Sequence, residues 1–421
     1  MGWHPHLWHP TTQVATAPEP LRVVSARGSL LQLDDGRQLI DAISSWWVTL
    51  HGHGEPSIAA AIAAQAQQLE QVIFANFSHP PAEELAEKLA SLTGLDRLFF
   101  SDNGSTAVEV ALKIAWQWWR NRGEPRQQLI AFEGAYHGDT VGAMALGERS
   151  QFNSAYEGLM FSVARAPWPA SWWGDESVEA RELQALAVLD RLLETPTAAV
   201  IFEPLLQGAS GMNLVSPQFL RAVERRVRTS GALLIADEVM TGFGRTGGLF
   251  ACQQAQIQPD LMALSKGLTG GFMPMGVTMA SERLYEAFIG LDPTLTFFHG
   301  HSFTANPLGC AAALASLKLL VQQPELYGQF EQRHRLHLEP LSDHPRLEKF
   351  RSIGSIAAFD LIVDQPGYLQ GLGRQLQSQC LAKGVYLRPL GHVVYLLPPL
   401  GISEAQLEQC YAAIWQSLAD L

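Results

Sequence analysis

The sequence predicts an α/β protein: a large domain with a wound, mostly parallel sheet, and a smaller α+β domain. Two observations lead to this prediction. The chain has 421 residues, which suits two or three compact lobes better than one small domain. Short, almost wholly apolar runs also alternate with segments of helical periodicity, and such runs are typical of strands buried on both faces of a parallel sheet.

The first 50 residues are predicted to be an N-terminal segment that packs with the small domain. Within it, two apolar runs flank Asp35-Gly36, which is a signal for a β-hairpin. Two helices are predicted next. The first covers 56–71 and has a proline at its start, and the second covers 81–92.

Residues 51–310 are predicted to form the large domain, and residues 311–421 the small one. The boundary follows from a change of character, because the runs beyond 320 have more polar faces. The large-domain strands are expected at 96–101, 128–133, 198–204, 232–239, 260–265 and 275–280, with helices at 104–119, 216–231 and 306–320.

Composition argues against several classes of partner. Asp plus Glu is 41 and Lys plus Arg is 29, a formal charge of −12 without any basic block, so nucleic acid is not expected. The stretch 261–280 has membrane-helix length, but Lys266, a glycine pair and Pro274 interrupt it, so no membrane span is expected.

The cysteine and histidine patterns predict a cytoplasmic protein without a metal. The cysteines are scattered, which favours free thiols in a reducing compartment, and no signal-peptide pattern begins the chain. His4, His6 and His9 are interspersed with Trp and Pro, and a metal site is not expected there.

Three candidate side chains end successive predicted strands: Glu203, Asp237 and Lys266. Ligands of wound sheets bind at the carboxyl ends of strands. Asp237 and Lys266 could form a structural ion pair, which needs no ligand. They could also serve pyridoxal 5'-phosphate, which needs a lysine for a Schiff base and an acid for its pyridine nitrogen. Glu203 could support the site or serve structure alone.

A candidate phosphate cradle precedes one predicted helix. In SDNGSTAVEVALK (101–113), Gly104 and Ser105 stand at a helix N-terminus, where exposed N–H groups and the helix dipole attract phosphate. Taken alone, the same pattern is an ordinary helix cap. Its combination with Asp237 and Lys266 is more specific than any of the parts.

Two longer motifs resemble those of class III pyridoxal-phosphate aminotransferases, which have fold type I. They are LLIADEVMTGFGRTG (233–247) and DLMALSKGLTGG (260–271). The resemblance implies that Lys266 carries the cofactor and Asp237 contacts its pyridine nitrogen, whereas Arg245 is expected to serve structure. Tyr136 would stack on the ring and border the substrate. Gly104 and Ser105 would bind the phosphate.

Further motifs are similar to a biotin-pathway subfamily that moves an amino group from S-adenosylmethionine to 8-amino-7-oxononanoate. They include SSWWVTLHGH (44–53) and VYLRPLGHVVYLLPP (385–399). The resemblance implies that Arg388 binds the acceptor's carboxylate. It also implies an apolar wall from Trp46 and Trp47, and close approach of the substrate to Gly300. Read without the motifs, the tryptophans and Tyr136 could be core residues, and Arg388 a solvated strand residue.

The resemblance implies a homodimer whose subunits share each active site. Ser302, with backbone help from His301, would reach the phosphate bound to the partner subunit. The family usually has Pro-Thr where this chain has His301-Ser302. After WHP the subfamily usually has an aromatic residue that helps to bind the donor, and this chain has Thr11. Lysine therefore stays open as a donor.

Two other readings also stay open. One is another class III enzyme, such as an ω-amino-acid aminotransferase or a glutamate-1-semialdehyde aminomutase. The other is a protein that binds the cofactor without turnover. Trp46, Trp47 and Arg388 argue against the first reading, and the combined cofactor residues argue against the second.

Overall fold

The computed structural model describes residues 3–364 and 371–419. It is organised around a seven-stranded sheet, two smaller sheets and a two-stranded ribbon. The strands are β1 (Val23–Arg27), β2 (Leu30–Leu33), β3 (Gln38–Asp41), β4 (Arg97–Ser101), β5 (Gln128–Phe132), β6 (Ala164–Ala166), β7 (Thr197–Phe202), β8 (Leu206–Gln207), β9 (Asn213–Leu214), β10 (Leu233–Asp237), β11 (Leu261–Leu264), β12 (Gly276–Ala280), β13 (Leu347–Ile353), β14 (Ile356–Leu361), β15 (Val385–Tyr386) and β16 (Val393–Leu396).

Helices cover the main sheet and form much of the remaining chain. They are α1 (Ser44–Trp47), α2 (Pro56–Ala66), α3 (Pro80–Thr93), α4 (Gly104–Asn121), α5 (Val141–Leu146), α6 (Val178–Leu192), α7 (Pro217–Ser230), α8 (Ala251–Ala255), α9 (Glu282–Tyr285), α10 (Pro307–Gln322), α11 (Glu325–Gly328), α12 (Phe330–Leu338), α13 (Gly371–Ala382) and α14 (Glu404–Leu418). The first of these, α1, has non-helical backbone angles inside it and is a kinked turn.

The main sheet has the strand order β4-β12-β11-β10-β7-β5-β6. Only β12 runs against its neighbours, so the predicted mostly parallel sheet is confirmed. The central strands β7, β10 and β11 are wholly buried, because helices cover both faces of the sheet. Their near-continuous apolar sequences follow from that burial.

The predicted helices form, and their ends shift by at most two residues except in α2, which was expected to continue to 71 and ends at Ala66. α4 begins after Asn103, whose side chain and that of Thr106 make a reciprocal capping box. α7 begins after the capping Ser216 and ends at Gly231, which has a left-handed φ of 73°. The remaining helices, among them the long α6 and α14, were not predicted individually from the sequence.

The membrane-length stretch 261–280 is not a helix. It folds as β11, a short 3-10 turn that begins at Lys266, and β12. Within 3–364 and 371–419, no helix is both long and apolar enough to cross a membrane. The same residues contain no cluster of side chains that could hold a metal ion. All four cysteines are free and buried.

The two ends of the chain meet in one small sheet, of order β1-β2-β3-β15. The predicted hairpin around Asp35-Gly36 is its β2–β3 turn, and these strands pair antiparallel. β15 then adds in parallel to β3, with Val385 opposite Ile40. This pairing joins the N-terminal segment to the last third of the chain. The proposed division at 50 and 310 stays a prediction.

Candidate active site

Parallel register brings the three strand-end candidates to one edge of the main sheet. Phe202 of β7 lies opposite Ala236 of β10, and Asp237 lies opposite Ala263 of β11. Glu203, Asp237 and Lys266 therefore leave their strands at the same edge. This is the position at which wound sheets bind ligands.

Lys266 stands at the start of its 3-10 turn, in a left-handed conformation with φ 45°. Its Nζ lies 4.7 Å from the centroid of the Trp47 ring. Burial lowers the pKa of the ammonium to about 8, although the carboxylates of Asp237 and Glu203 act in the opposite direction. A neutral, nucleophilic amine is thus accessible close to neutral pH.

Asp237 is buried and held as an acceptor by two groups. His137 Nδ1 lies 2.7 Å from Oδ2, and the backbone N–H of Val239 donates to Oδ1 at 3.1 Å. Each carboxylate oxygen retains a lone pair, so a further donor can bind. His137 was not among the candidate residues predicted from the sequence. Its position next to Tyr136 was the available signal.

Glu203 ties the loop of Tyr136 to the sheet. Its carboxylate accepts from the backbone N–H of Tyr136 at 3.1 Å and of Gly208 at 3.0 Å. Burial raises the pKa of Glu203 to about 7. Glu203 thus has a clear structural contact that also places a candidate site residue.

Tyr136 is partly buried, with 40% of its surface exposed. Burial of its phenol, together with the nearby Asp139 carboxylate, raises the pKa of Tyr136.

The candidate phosphate cradle forms at the start of α4. A helix leaves its first N–H groups without partners inside the helix, and Gly104 and Ser105 are the first two residues here. The Ser105 hydroxyl accepts from the Asp139 N–H at 3.2 Å. A Cβ on Gly138 would come within 2.1 Å of that hydroxyl oxygen, so only glycine permits this approach. The cradle also adjoins the lysine turn, because a Cβ on Gly104 would lie 3.5 Å from Ser265 Cβ.

Trp46 and Trp47 sit in the kinked turn α1, where three residues have positive φ. Such strain persists only where surrounding contacts enforce it. Buried Asp41 supplies several of these contacts: it accepts from the Ile43 N–H at 3.2 Å and the Ser45 N–H at 2.6 Å, and its Oδ2 lies 2.8 Å from His53 Nε2. No pattern in the sequence pointed to this role of Asp41.

The kink sends the two tryptophans in different directions. Trp47 is buried, and its indole N–H donates to the Tyr395 hydroxyl at 3.0 Å. Trp46 is 47% exposed, and the Arg388 guanidinium carbon lies 4.7 Å from the centroid of its ring. One turn therefore connects Lys266, on the Trp47 side, to Arg388, on the Trp46 side.

The remaining candidates lie in the loop that precedes α10. His301 Nδ1 is 2.9 Å from Asp102 Oδ2, which places this loop against the residues that lead into the cradle. Gln71 donates to the Ser302 carbonyl at 3.3 Å. A Cβ on Gly300 would meet nothing within 4 Å among the described residues. The roles of Gly300, His301 and Ser302 toward substrate or partner stay predictions.

Arg245 has the structural surroundings that were expected of it. It is fully buried and donates to the carbonyls of Pro398 at 2.9 Å and Trp47 at 3.4 Å. The backbone carbonyl of Arg245 in turn accepts a hydrogen bond from the Ser355 N–H at 2.9 Å. Arg245 thus joins the main-sheet segment to the kinked turn and to the C-terminal part of the chain.

The residues at this edge fit pyridoxal phosphate in three respects. Lys266 has a lowered pKa, Asp237 is an oriented carboxylate with free acceptor capacity, and a glycine-dependent cradle lies next to the lysine turn. An α/β fold with such a site defines a pyridoxal-phosphate-dependent enzyme. The chain belongs to the class-III aminotransferases, because the "Aminotransferase class-III" family model matches residues 11–418.

Similar proteins that match along their full length point to one group of enzymes within the class-III family. A protein of Synechococcus elongatus, called adenosylmethionine-8-amino-7-oxononanoate aminotransferase, is 56% identical over all of both chains. A Geobacter sulfurreducens protein of the same name is 39% identical over 96% of this chain and 93% of its own. The resemblance inferred from the sequence motifs is confirmed.

Solved structures agree with the fold. The adenosylmethionine-8-amino-7-oxononanoate aminotransferase of Methanocaldococcus jannaschii has a TM-score of 0.92 at 30% identity, over 99% of this chain and 97% of that one. An amine transaminase from an uncultivated Pseudomonas species, in its PLP-bound form, has a TM-score of 0.93 at 29% identity over all of both chains.

Proposed function

We propose that this chain transfers an amino group from S-adenosylmethionine to 8-amino-7-oxononanoate, which yields 7,8-diaminononanoate for biotin biosynthesis. The observation that carries the proposal is the full-length 56% identity to an enzyme of that name, together with the lysine and carboxylate at one sheet edge. The name of that relative specifies both substrates. The site supplies the groups that transamination needs.

Each residue of the site has a distinct task in this proposal. Bound pyridoxal phosphate withdraws electrons from the substrate carbon next to the nitrogen and stores the amino group between the two substrates. Asp237, oriented by His137, accepts a hydrogen bond from the pyridine nitrogen. Gly104 and Ser105 hold the phosphate, and Tyr136 covers the ring.

Lys266 is the proposed acid and base. Its lowered pKa lets Nζ take a proton from the donor carbon and later return one to the acceptor carbon. The Trp47 ring lies beside Nζ and excludes water from the site of proton transfer. Arg388 binds the acceptor's carboxylate through two N–H groups, while Trp46 supports the guanidinium from one face.

The donor is tested by a half-reaction. Protein loaded with pyridoxal phosphate is mixed with S-adenosylmethionine or with lysine, and conversion to the amine form is followed by absorbance. Conversion by S-adenosylmethionine alone is expected. Conversion by lysine alone would show that lysine is the amino donor, and the proposal for the acceptor would be unaffected. Conversion by neither, together with turnover of simple amines in a substrate panel, would instead support another class III ω-aminotransferase.

We also propose a cytoplasmic homodimer whose subunits share each site. Phe298 and Phe303, on either side of the His301-Ser302 loop, are exposed. Ile73 and Phe77 are exposed as well, in the segment after Gln71, whose side chain donates hydrogen bonds to that loop. Exposed apolar surface of this kind supports a protein–protein interface. Light scattering is expected to give twice the chain mass, and Phe303→Asp is expected to yield monomers with weakened phosphate binding.

A further inference from the structure

Thr11, which replaces an aromatic residue usual in the subfamily, contacts the predicted carboxylate-binding arginine. Its hydroxyl oxygen accepts a hydrogen bond from Arg388 Nη2 at 3.1 Å, across 377 positions of sequence. Trp46 supports the same guanidinium from its face, at 4.7 Å. Thr11, Trp46 and Arg388 therefore form one cluster, in which two residues of the N-terminal segment meet one near the C-terminus.

Both contacts orient the guanidinium without neutralising it. A hydroxyl and an indole carry no negative charge, so the positive charge of Arg388 is retained for a ligand. A guanidinium has five N–H donors, and Thr11 occupies one of them. Enough donors are left for bidentate binding of a carboxylate.

The backbone at Thr11 is unusual in a way that favours a positioning role. Its φ is 50°, a left-handed conformation that is rare for a β-branched residue. Such outliers cluster at functional sites, where neighbouring contacts maintain them. The next residue provides a comparison, because the Thr12 hydroxyl donates locally to the Pro10 carbonyl at 2.8 Å and not to the cluster.

We propose that Thr11 is a positioning residue that orients Arg388 for the carboxylate of the acceptor. The inference rests on the proposed function for the identity of that acceptor. Thr11 acts on the Trp46 side of the kinked turn, whereas Lys266 lies on the Trp47 side. Loss of the Thr11 hydroxyl therefore weakens carboxylate binding and leaves the chemistry at Lys266 unchanged.

The test compares three variants of the pyridoxal-phosphate-loaded protein. Thr11→Val removes the hydroxyl and keeps the branched shape, Thr11→Ser keeps the hydroxyl, and Thr12→Val removes the neighbouring hydroxyl. Thr11→Val is expected to raise KM for 8-amino-7-oxononanoate about tenfold with kcat nearly unchanged, as for loss of a hydrogen bond to a charged group. Thr11→Ser and Thr12→Val should match the unmodified protein.

A binding measurement separates this inference from the proposed function. Nonanoate has a carboxylate on a nine-carbon chain but no reacting group, and nonanamide lacks the charge. By calorimetry, Thr11→Val should weaken nonanoate binding about tenfold and leave nonanamide binding unchanged. This result would support the inference even if 8-amino-7-oxononanoate proved not to be a substrate.

Several outcomes would overturn the inference. Equal nonanoate affinity in Thr11→Val and the unmodified protein would exclude a positioning role. Equal losses in Thr11→Ser and Thr11→Val would show that the hydroxyl is not the active feature. Failure of the unmodified protein to prefer nonanoate over nonanamide would remove the carboxylate site itself.

Discussion

At the scale of single residues, burial and hydrogen bonding change the chemistry of ordinary side chains. Lys266 has a lowered pKa because desolvation outweighs the attraction of two nearby carboxylates. Asp237 keeps a defined orientation because a histidine and a backbone N–H hold its two oxygens. The reactive amine and the oriented anion are therefore both products of their surroundings.

The lowered pKa of Lys266 predicts how the ligand-free protein captures its cofactor. Only the neutral amine attacks a carbonyl, so the capture rate should rise with pH through about 8, and not near the ordinary value of 10.5. Stopped-flow absorbance after addition of pyridoxal phosphate measures this rate. Lys266→Arg provides the control, in which no covalent capture occurs. A midpoint near that of an ordinary lysine would contradict the assignment.

The contact of His137 with Asp237 predicts a loss of activity on substitution. His137→Phe removes a hydrogen bond to a buried charge, which contributes about 1.5–3 kcal/mol. Asp237 is then less stabilised as an anion, and kcat/KM with the donor should fall roughly tenfold to a hundredfold. His137→Asn, which can still donate from its amide, should lose less. Equal activity of both variants and the unmodified protein would show that the contact is dispensable.

At the scale of elements, turns and helix starts position the site. The start of α4 forms the candidate phosphate cradle, and the loop that carries Tyr136 closes against it through Gly138 and Ser105. The kinked turn α1 sends its tryptophans to opposite sides because Asp41 holds it in a strained conformation. Neither arrangement follows from helix or strand propensity.

Gly138 provides a prediction about the cradle. Gly138→Ala would place a methyl group 2.1 Å from the Ser105 hydroxyl oxygen, at a φ of 130° that disfavours side chains. The loop must move away from α4, so pyridoxal phosphate should bind at least about tenfold more weakly. The matched control is Gly123→Ala, at a φ of 74° with nothing within 4 Å. Fluorescence titration of the ligand-free proteins measures the difference, and equal affinities would contradict the prediction.

At the scale of the whole molecule, the site depends on contacts between the chain's distant parts. β3 and β15 pair across more than three hundred positions and connect the N-terminal hairpin to the C-terminal region. Buried Arg245 connects the main-sheet segment to both, through the carbonyls of Trp47 and Pro398. These connections place Trp46, Trp47 and Arg388 relative to Lys266.

Arg245 therefore predicts an effect on global stability. Arg245→Lys keeps the charge but loses the planar fork, and a lysine cannot reach both carbonyls. The free energy of unfolding should fall by about 2 kcal/mol, in the range for a hydrogen bond to a charged group. Denaturant titration of the ligand-free protein measures it. Arg37→Lys, in an exposed ion pair with Asp35, is the matched control and should leave the free energy of unfolding nearly unchanged.

The sequence by itself determined six strands of the wound sheet, five of the helices and the candidate residues at the sheet's carboxyl edge. These features depend on local patterns, namely apolar runs of strand length, capping residues and motif spacing, which are readable wherever they occur. Lys266, Asp237, Gly104 and Ser105 belong to such patterns. The edge that Asp237 shares with Lys266 follows from the parallel register of β10 and β11.

Only the tertiary structure decided which distant side chains meet. The contact of His137 with Asp237, the role of Asp41 beneath the tryptophans and the bond between Thr11 and Arg388 join residues from separate parts of the chain. No local pattern encodes these pairs, because each depends on how whole elements pack together. A side chain's partners are set by that packing, and its chemistry at the site follows from those partners.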